Sequence, residues 1–433
     1  MPRDTVTIDL NVNIAAAEFK ADPFPFYHRL RELAPVYRVK LPDGQMAWLV
    51  TRYDDVVRVL TDERFAKDVF RVRSKEQLAA SPWMAKLFTP LLMPLARHML
   101  NRDPPDHTRL RALVQQAFSP RLVEGMRGRI HSLAHELLDR VQRKGRMDLI
   151  ADYALPIPTT VIAEMLGVPV ADRHKFHRWS SAMLSAGATR FGLLRAMPSA
   201  LRFMRYIRQL IKIRRTDLRD DLVSALITAR DASERLNDDE LLSMVLLLIV
   251  AGHETTVNLI ASGMLALLQH PDQLERLRND PALIKTAVEE LLRFTAPVET
   301  ATERFVTQDL ELAGVKIAQG DLVIAAIASA NRDKSQFIDP DTLDITREPN
   351  RHLAFGQGIH FCLGASLARL EGQTAINTLL ARTGDLQLAV DPTRLRWRSG
   401  LVLRGLKALP VSFTTKAPMA ARTELTDVLE ASL

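Results

Sequence analysis

Cysteine is almost missing from this chain, which has one, Cys362, in 433 residues. A single thiol excludes an internal disulfide framework, and it excludes an iron–sulfur cluster ligated by this chain. The N-terminus lacks the basic, apolar and small-residue order of a secretory signal. The longest apolar run, residues 244–252, is much shorter than the roughly 18 to 20 residues that cross a bilayer. We therefore expect a cytoplasmic protein with no transmembrane anchor.

Linkers, low-complexity runs and internal repeats are also absent from the sequence. Length alone would allow about three domains, but the motifs described below lie between residues 106 and 364 and serve one site. With 47% hydrophobic residues, the chain is able to bury a substantial core. We expect a single domain over residues 1–433, with flexible ends at 1–21 and 415–433.

Acidic residues are scarce in residues 173–219, where twelve Lys or Arg accompany only Asp217. Apolar residues there recur at helical spacing, and basic residues cluster on another face of the same helix: Arg202, Arg205, Arg208 and Lys212. A solvated helix face, contact with a membrane surface and docking of an acidic carrier protein that bears the substrate all fit this pattern. No nucleic-acid-binding fingerprint accompanies the charge, so nucleic acid is not an expected partner.

The single cysteine lies in the sequence Phe355-Gly356-Gln357-Gly358-Ile359-His360-Phe361-Cys362-Leu363-Gly364. A lone cysteine is most often a small buried apolar residue. Here three glycines flank the thiol and permit a flat ligand to approach the main chain closely. Residues 363–381 have helical periodicity, so the thiol is expected at a helix N-terminus, where amide dipoles favour thiolate. A thiolate presented in this way is suited to ligate haem iron.

This loop resembles the haem-thiolate loop of cytochrome P450 monooxygenases, with every fixed position of the pattern F-G-x-G-x-H-x-C-x-G filled. The resemblance makes Cys362 the axial metal ligand. It also places four residues of the loop at the cofactor: Phe355, Gly356, His360 and Gly364. It extends over roughly residues 22–413.

A long helix is predicted from Asn237 to His270, with Asn237 and Glu240 forming a capping box and Pro271 after its end. Its middle reads Ala251-Gly252-His253-Glu254-Thr255-Thr256, and glycine with polar side chains is poorly suited to an apolar helix. The segment resembles the oxygen-binding groove of the family. The resemblance implies that Ala251 lies at the cofactor, that Thr255 hydrogen-bonds bound oxygen or its water, and that Glu254 relays protons.

Glu290 and Arg293 are three residues apart on a second predicted helix, over residues 280–294, and are able to form an ion pair. The Glu290-Leu291-Leu292-Arg293 segment resembles the E-x-x-R element of the family. Its implied third member is Arg347, and the three residues would form a buried structural network.

Two haem propionates need cationic or hydrogen-bonding partners. His107 and Arg111 are four apart in Asp106-His107-Thr108-Arg109-Leu110-Arg111, which resembles the propionate-binding helix of the family. By the same resemblance, Arg304 and His360 complete this clamp.

Fold and reaction follow from the resemblance. It implies a mainly α, triangular-prism P450 fold with a long central helix and a small β region, for which strands are expected near residues 47–50 and 310–328. It also implies haem b, insertion of one atom of O₂ by hydroxylation or epoxidation, and electrons from a ferredoxin or flavodoxin with its NAD(P)H-dependent reductase.

The substrate is expected to be an apolar small molecule, because the segments implied to line the pocket are mostly apolar. These segments are residues 70–100, 185–204, 250–251, 298–301 and 401–403. Polyketide or macrolide-like, terpenoid, steroid and fatty-acyl substrates remain open, including substrates bound to a carrier protein. Two other functions also remain open, namely a non-catalytic haem-thiolate sensor or carrier and a peroxide-driven hydroxylase; relatives of the latter kind lack the acid and alcohol pair.

Overall fold

A long central helix, α11, organises the fold. The computed structural model describes residues 12–72, 98–176, 178–179, 192–230 and 235–416, and α11 occupies Asp238–Gln269. The Asn237 side chain accepts a hydrogen bond from the Glu240 N–H, and the Glu240 side chain accepts one from the Asn237 N–H, which confirms the predicted capping box. At 1.5 Å per residue the helix is about 48 Å long.

The other helices come before and after α11 in the chain. Among the residues that the structure describes, those before it are α1 (Ala17–Ala21), α2 (Phe24–Leu33), α3 (Tyr53–Thr61), α4 (Val69–Val72), α5 (Asp106–Ala117), α6 (Pro120–Gly125), α7 (Arg127–Val141), α8 (Pro156–Met165), α9 (Gly192–Thr216) and α10 (Leu222–Thr228). Those after it are α12 (Pro271–Asn279), α13 (Ile284–Thr295), α14 (Ile327–Ala330) and α15 (Ala365–Arg382). Helices α8, α9, α13 and α15 all pack against α11.

Within the described ranges, strands form three small sheets, as expected for a minor β region. One sheet has the order β1 (Val36–Lys40), β2 (Met46–Val50), β8 (Leu322–Ala325), β5 (Arg304–Val306) and β3 (Phe65–Ala66). A second has the order β4 (Arg146–Asp148), β10 (Pro410–Thr415) and β9 (Thr383–Leu388), and β6 (Leu310–Leu312) pairs with β7 (Val315–Ile317). The strands predicted near 47–50 and 310–328 are therefore present, and the expectation of a mainly α fold is confirmed.

The core follows from the apolar periodicity of the helices. The largest buried cluster joins α5, α7, α8 and α9 to α11, α13 and α15, while two smaller clusters lie beside the first sheet. Helix α11 has the length and composition of a membrane-crossing helix, but 67% of its apolar window is buried inside the molecule. Its apolar character therefore serves the core.

Residues 12–21 belong to the predicted flexible N-terminal end, but in the structure they contact the rest of the protein. Helix α1 lies in this range, and the Lys20 side chain is fully buried, with Nζ 3.0 Å from Glu299 Oε1. The Tyr27 hydroxyl donates to the same carboxylate oxygen at 2.7 Å. A buried ion pair requires such partners, so these contacts anchor the segment. Residues 1–11 and 417–433 lie outside the described residues.

Candidate active site

Cys362 lies between a short 3₁₀ turn, Gly358–His360, and helix α15. The Cys362 N–H donates to the Phe355 carbonyl oxygen at 2.9 Å and closes the loop. Gly356 and Gly358 have φ values of 70° and 77°, in the region that favours glycine. A Cβ atom on Gly358 would lie 3.0 Å from the Leu60 carbonyl oxygen. The loop therefore depends on glycine for both backbone angle and space.

The electrostatics of the Cys362 thiol differ from the expectation based on the helix N-terminus. The side chain is exposed on one side, yet the surrounding protein desolvates it and this burial raises the pKa of the thiol. The Gly364 N–H and the charges of Arg111 and Arg369 act in the opposite direction but do not outweigh burial. Coordination to a metal deprotonates a thiol outright, so ligation itself would supply the thiolate.

Buried nitrogen atoms without partners cluster near this loop. His107 is 2% exposed, and neither of its ring nitrogens has a hydrogen-bond partner among the described residues. The same holds for His360 Nε2 and Arg304 Nε. The His107 and His360 ring centroids are 4.3 Å apart. Burial, reinforced first by the charge of Arg304, lowers the pKa of His360 to about 2.

These nitrogens fit an anionic ligand. An unsatisfied buried donor costs about 1–3 kcal/mol, and carboxylates are strong acceptors for guanidinium and imidazole groups. Arg111, four residues after His107 on α5, is half-buried and electrostatically coupled to Cys362. The chemistry of this donor set therefore fits two haem propionates beside the cysteine.

Two further basic side chains at this cluster were not predicted from the sequence. Burial lowers the pKa of His98 to about 4, and its Nδ1 has no partner among the described residues. Lys67 is buried, and its Nζ donates to the Glu303 carbonyl oxygen at 2.9 Å and to the Thr302 hydroxyl. Burial and then Arg304 lower the pKa of Lys67 to about 7. Lys67 lies 40 residues before His107, and although His98 lies only nine residues before it, no local pattern marks either residue.

The middle of α11 departs from the burial of the rest of the helix. Ala251 is exposed and Gly252, Glu254 and Thr255 are half-buried, whereas the following turns are almost entirely buried. The Thr255 hydroxyl donates to the Ala251 carbonyl oxygen at 2.9 Å. Accessible surface in the middle of a core helix indicates that a space opens beside it, with small and hydroxyl side chains at its edge.

The Glu254 carboxylate is paired with an arginine. Its Oε1 accepts a hydrogen bond from Arg398 Nη1 at 2.7 Å, and the two side chains are 14% and 37% exposed. Arg398 was not predicted at the site, because 144 residues separate the partners and nothing in the local sequence marks it.

The family model for cytochrome P450 matches residues 10–383 of this chain. The chain belongs to the cytochrome P450 family. Its polyketide-biosynthesis relative PksS from Bacillus subtilis is 45% identical over 401 residues, which cover 92% of this chain and 97% of PksS. The 6-deoxyerythronolide B hydroxylase of Saccharopolyspora erythraea is 43% identical over 402 residues, 92% of this chain and 98% of that enzyme.

Solved P450 structures have the same fold. The PksS structure superposes with a TM-score of 0.86 at 43% identity, covering 93% of this chain and 100% of that one. P450BioI, solved with an acyl carrier protein ligated to hexadec-9Z-enoic acid, has a TM-score of 0.83 at 40% identity, covering 92% of this chain and 99% of that one. The protein is thus a P450 monooxygenase with the P450 fold, and it uses haem iron and O₂.

Helix α13 places Glu290 and Arg293 in a buried network. Both side chains have no exposed surface, and Arg293 Nε and Nη2 each donate to the Glu290 carboxylate at 2.7 Å. Arg347 Nε donates to the same carboxylate at 3.1 Å, so the structure brings together the three residues of the predicted network. The Asp344 N–H and the Asn350 side-chain amide also donate to the Glu290 carboxylate.

A second ion pair links α13 to the P450 cysteine loop and was missed in the sequence. Arg369 on α15 donates twice to the Glu289 carboxylate, at 2.7 and 2.8 Å, and its guanidinium lies 4.5 Å from the Phe355 ring centroid. Burial alone would raise the pKa of Glu289, but hydrogen bonds from Arg369 and His352 outweigh it and lower the pKa to about 2. The pair therefore fixes Phe355, the residue whose carbonyl holds the Cys362 N–H.

Proposed function

We propose that this P450 hydroxylates or epoxidises an apolar polyketide, macrolide-like or fatty-acyl substrate, using haem b. The observation that carries the proposal is a cluster of buried nitrogens beside the accessible thiol of Cys362. Both ring nitrogens of His107, His360 Nε2 and Arg304 Nε have no hydrogen-bond partner within the part of the chain that the structure describes. A planar cofactor with one metal and two carboxylates would satisfy all of these groups.

Cys362 would bind the haem iron through its sulfur, and Phe355, Gly356 and Gly364 would shape the loop that presents it. The clamp for the propionates would consist of His107, Arg111, Arg304 and His360, with Ala251 against the other side of the ring. When bound, haem supplies the activation of O₂ and the transfer of one oxygen atom to the substrate.

Glu254 and Thr255 would deliver protons to the reacting oxygen, as a positioned general acid does. Glu254 would exchange protons with solvent near Arg398, which is the more exposed member of the Glu254–Arg398 ion pair. The Thr255 hydroxyl donates its one hydrogen to the Ala251 carbonyl oxygen, so it would have to rotate to present that hydrogen toward the cavity, while its oxygen accepts a proton from the acid side. Retention of both residues favours O₂ over peroxide as the oxidant.

The expected pocket segments near residues 298–301 and 401–403 lie together. Val298 bridges to Leu403, and the Thr300 hydroxyl donates to the Leu401 carbonyl oxygen at 3.1 Å. Their apolar side chains are half-buried, as expected for the wall of a cavity that accepts an apolar ligand. Residues 73–97 and 185–191 of the other expected segments lie outside the described residues.

The relatives reported above support a substrate class and a mode of delivery. PksS belongs to polyketide biosynthesis, the hydroxylase takes 6-deoxyerythronolide B, and P450BioI binds an acyl chain on a carrier protein. We infer a substrate of this kind, free or bound to a carrier. Electrons would come from a ferredoxin or flavodoxin with its NAD(P)H-dependent reductase, in the cytoplasm.

The test is turnover of the haem-loaded protein with a surrogate ferredoxin, its reductase and NADPH. Macrolactones and long-chain fatty acids would first be screened by the shift of the haem absorption band from low to high spin. Oxygenated product that depends on NADPH and O₂ is expected. Product only with hydrogen peroxide would indicate a peroxide-driven hydroxylase, and ligand binding without product under either condition would indicate a sensor or carrier.

A further inference from the structure

Helix α9 presents four exposed basic side chains, Arg202, Arg205, Arg208 and Lys212, which we call the basic stripe. The helix contains no Asp or Glu. Two further cations of α9 are paired, since Arg214 contacts Asp221 and Arg215 contacts Asp238. Among the described residues, by contrast, no acid forms an ion pair with any member of the stripe.

The geometry of the stripe makes it one surface. From Arg202 to Lys212 the helix rises about 15 Å, and the spacing keeps the four side chains on one side. Like charges this close repel one another, and an acidic partner would relieve that repulsion as well as gain attraction.

The apolar face of α9 decides between an acidic protein and a membrane. An interfacial helix binds lipid by inserting its apolar face into the bilayer. On α9 that face is used by the core, where five side chains are 0% to 6% exposed: Phe203, Met204, Ile207, Leu210 and Ile211. Among the described side chains of α9, the exposed ones are mostly cations, and the remainder are Pro198, Gln209, Thr216 and the single large apolar residue Ile213. This arrangement favours a folded acidic partner over lipid.

The position of the stripe relates it to the active site. Helix α9 packs against α11, which carries Ala251 and Thr255. Its first half also belongs to the segment, residues 185–204, that is expected to line the pocket. We propose that the basic stripe docks an acidic carrier protein that presents the substrate as a thioester. This inference rests on the proposed function, because it concerns how that substrate arrives.

The test measures binding separately from turnover. A fluorescently labelled acyl carrier protein, loaded with a tetradecanoyl chain on its phosphopantetheine arm, would be titrated with the haem-loaded full-length protein at low salt. The triple variant Arg205→Gln, Arg208→Gln and Lys212→Gln is expected to weaken binding about 10-fold, since exposed charge pairs contribute modestly. A matched control removes the same charge elsewhere, through Arg140→Gln, Arg143→Gln and Lys144→Gln, and should leave the affinity unchanged.

Equal weakening by both triple variants would overturn the docking site, as would the absence of carrier binding by the unmodified protein. Tighter binding to phosphatidylglycerol vesicles than to the carrier, lost in the stripe variant, would replace the proposal with a membrane surface. Oxidation of free tetradecanoic acid serves as the separate readout. If the stripe variant binds the carrier normally, the docking proposal fails while the proposed function stands. If free and carrier-bound chains both remain unoxidised, the fatty-acyl form of the proposed function fails whatever the binding.

Discussion

Arg398 Nη1 lies 2.7 Å from Glu254 Oε1 and ties the middle of the central helix to the loop after residue 395. The Arg398 N–H donates to the Gly405 carbonyl oxygen at 2.9 Å, so the guanidinium is presented by a braced loop. The acid is mostly covered and the arginine is more exposed. Through Arg398, the pair therefore connects Glu254, the neighbour of Thr255, to a more exposed side chain.

Replacing Glu254 by Gln removes the acid but retains the shape of the side chain and a hydrogen-bond acceptor for Arg398. We expect product formation to slow about 100-fold, as for loss of a general acid, with haem content and substrate-induced spin shift unchanged. Steady-state rates in H₂O and D₂O measure the effect. Arg398→Gln is the companion variant and should slow the rate less, because it keeps the acid. An unchanged rate in the Glu254 variant would exclude Glu254 from proton delivery.

Thr255→Ala removes a hydroxyl that now donates to the Ala251 carbonyl oxygen. Haem and substrate should still bind, while a larger share of the NADPH consumed should end as hydrogen peroxide. The ratio of product to NADPH, with peroxide measured in parallel, gives the coupling. Thr255→Ser retains the hydroxyl and should couple nearly as well as the unmodified protein. Equal coupling in the Ala variant would contradict a role for Thr255.

Cys362→Ser tests the axial ligand. The reduced CO complex of the unmodified protein should absorb at about 450 nm, as expected for a thiolate ligand. The serine variant should lose that band, because an alcohol is a much weaker donor to iron than a thiolate. Its far-ultraviolet circular dichroism controls for folding. Retention of the band would show that another residue supplies the ligand.

Sequence patterns predicted the features that depend on near neighbours in the chain. Asn237 and Glu240 form the predicted cap, and Glu290 lies against Arg293 three residues later. Each of these pairs lies within one helical turn, so spacing alone determines the contact.

Contacts between distant segments were not predictable from spacing. Arg369 meets Glu289 across 80 residues, and Lys20 meets Glu299 across 279, because packing of whole elements brings them together. The state of the Cys362 thiol was also not predictable, since helix position favours thiolate while the surrounding protein raises its pKa. Burial is a property of the tertiary structure and outweighed the local dipole.

The Glu289 ion pair predicts a pH-dependent stability. The pKa of Glu289 in the folded protein, about 2, lies below the ordinary value of 4.5. The contribution of this carboxylate to folding stability is therefore complete above about pH 4.5 and is lost as the pH falls toward about 2. The difference between these two pKa values corresponds to about 3 kcal/mol of folding stability at neutral pH. Urea unfolding of Glu289→Gln should therefore show lower stability at pH 7, with the gap closing below pH 4. As a control, Glu136→Gln removes an exposed carboxylate paired with Arg129 and should lower the stability only slightly. An equal loss of stability in both variants would exclude a special role for the ion pair between Glu289 and Arg369.

Glu290→Gln should have the most severe structural effect, because Glu290 accepts hydrogen bonds from two arginines while fully buried. Its loss leaves the buried Arg293 charge without compensation, which costs about 3–5 kcal/mol. We expect little haem incorporation, measured as the ratio of haem to protein absorbance after expression. Glu124→Gln, which removes an exposed carboxylate paired with Arg127, should retain full haem content. Normal haem content with a lowered unfolding midpoint would separate stability from cofactor loading. The network would then brace the fold without being required to form the haem site.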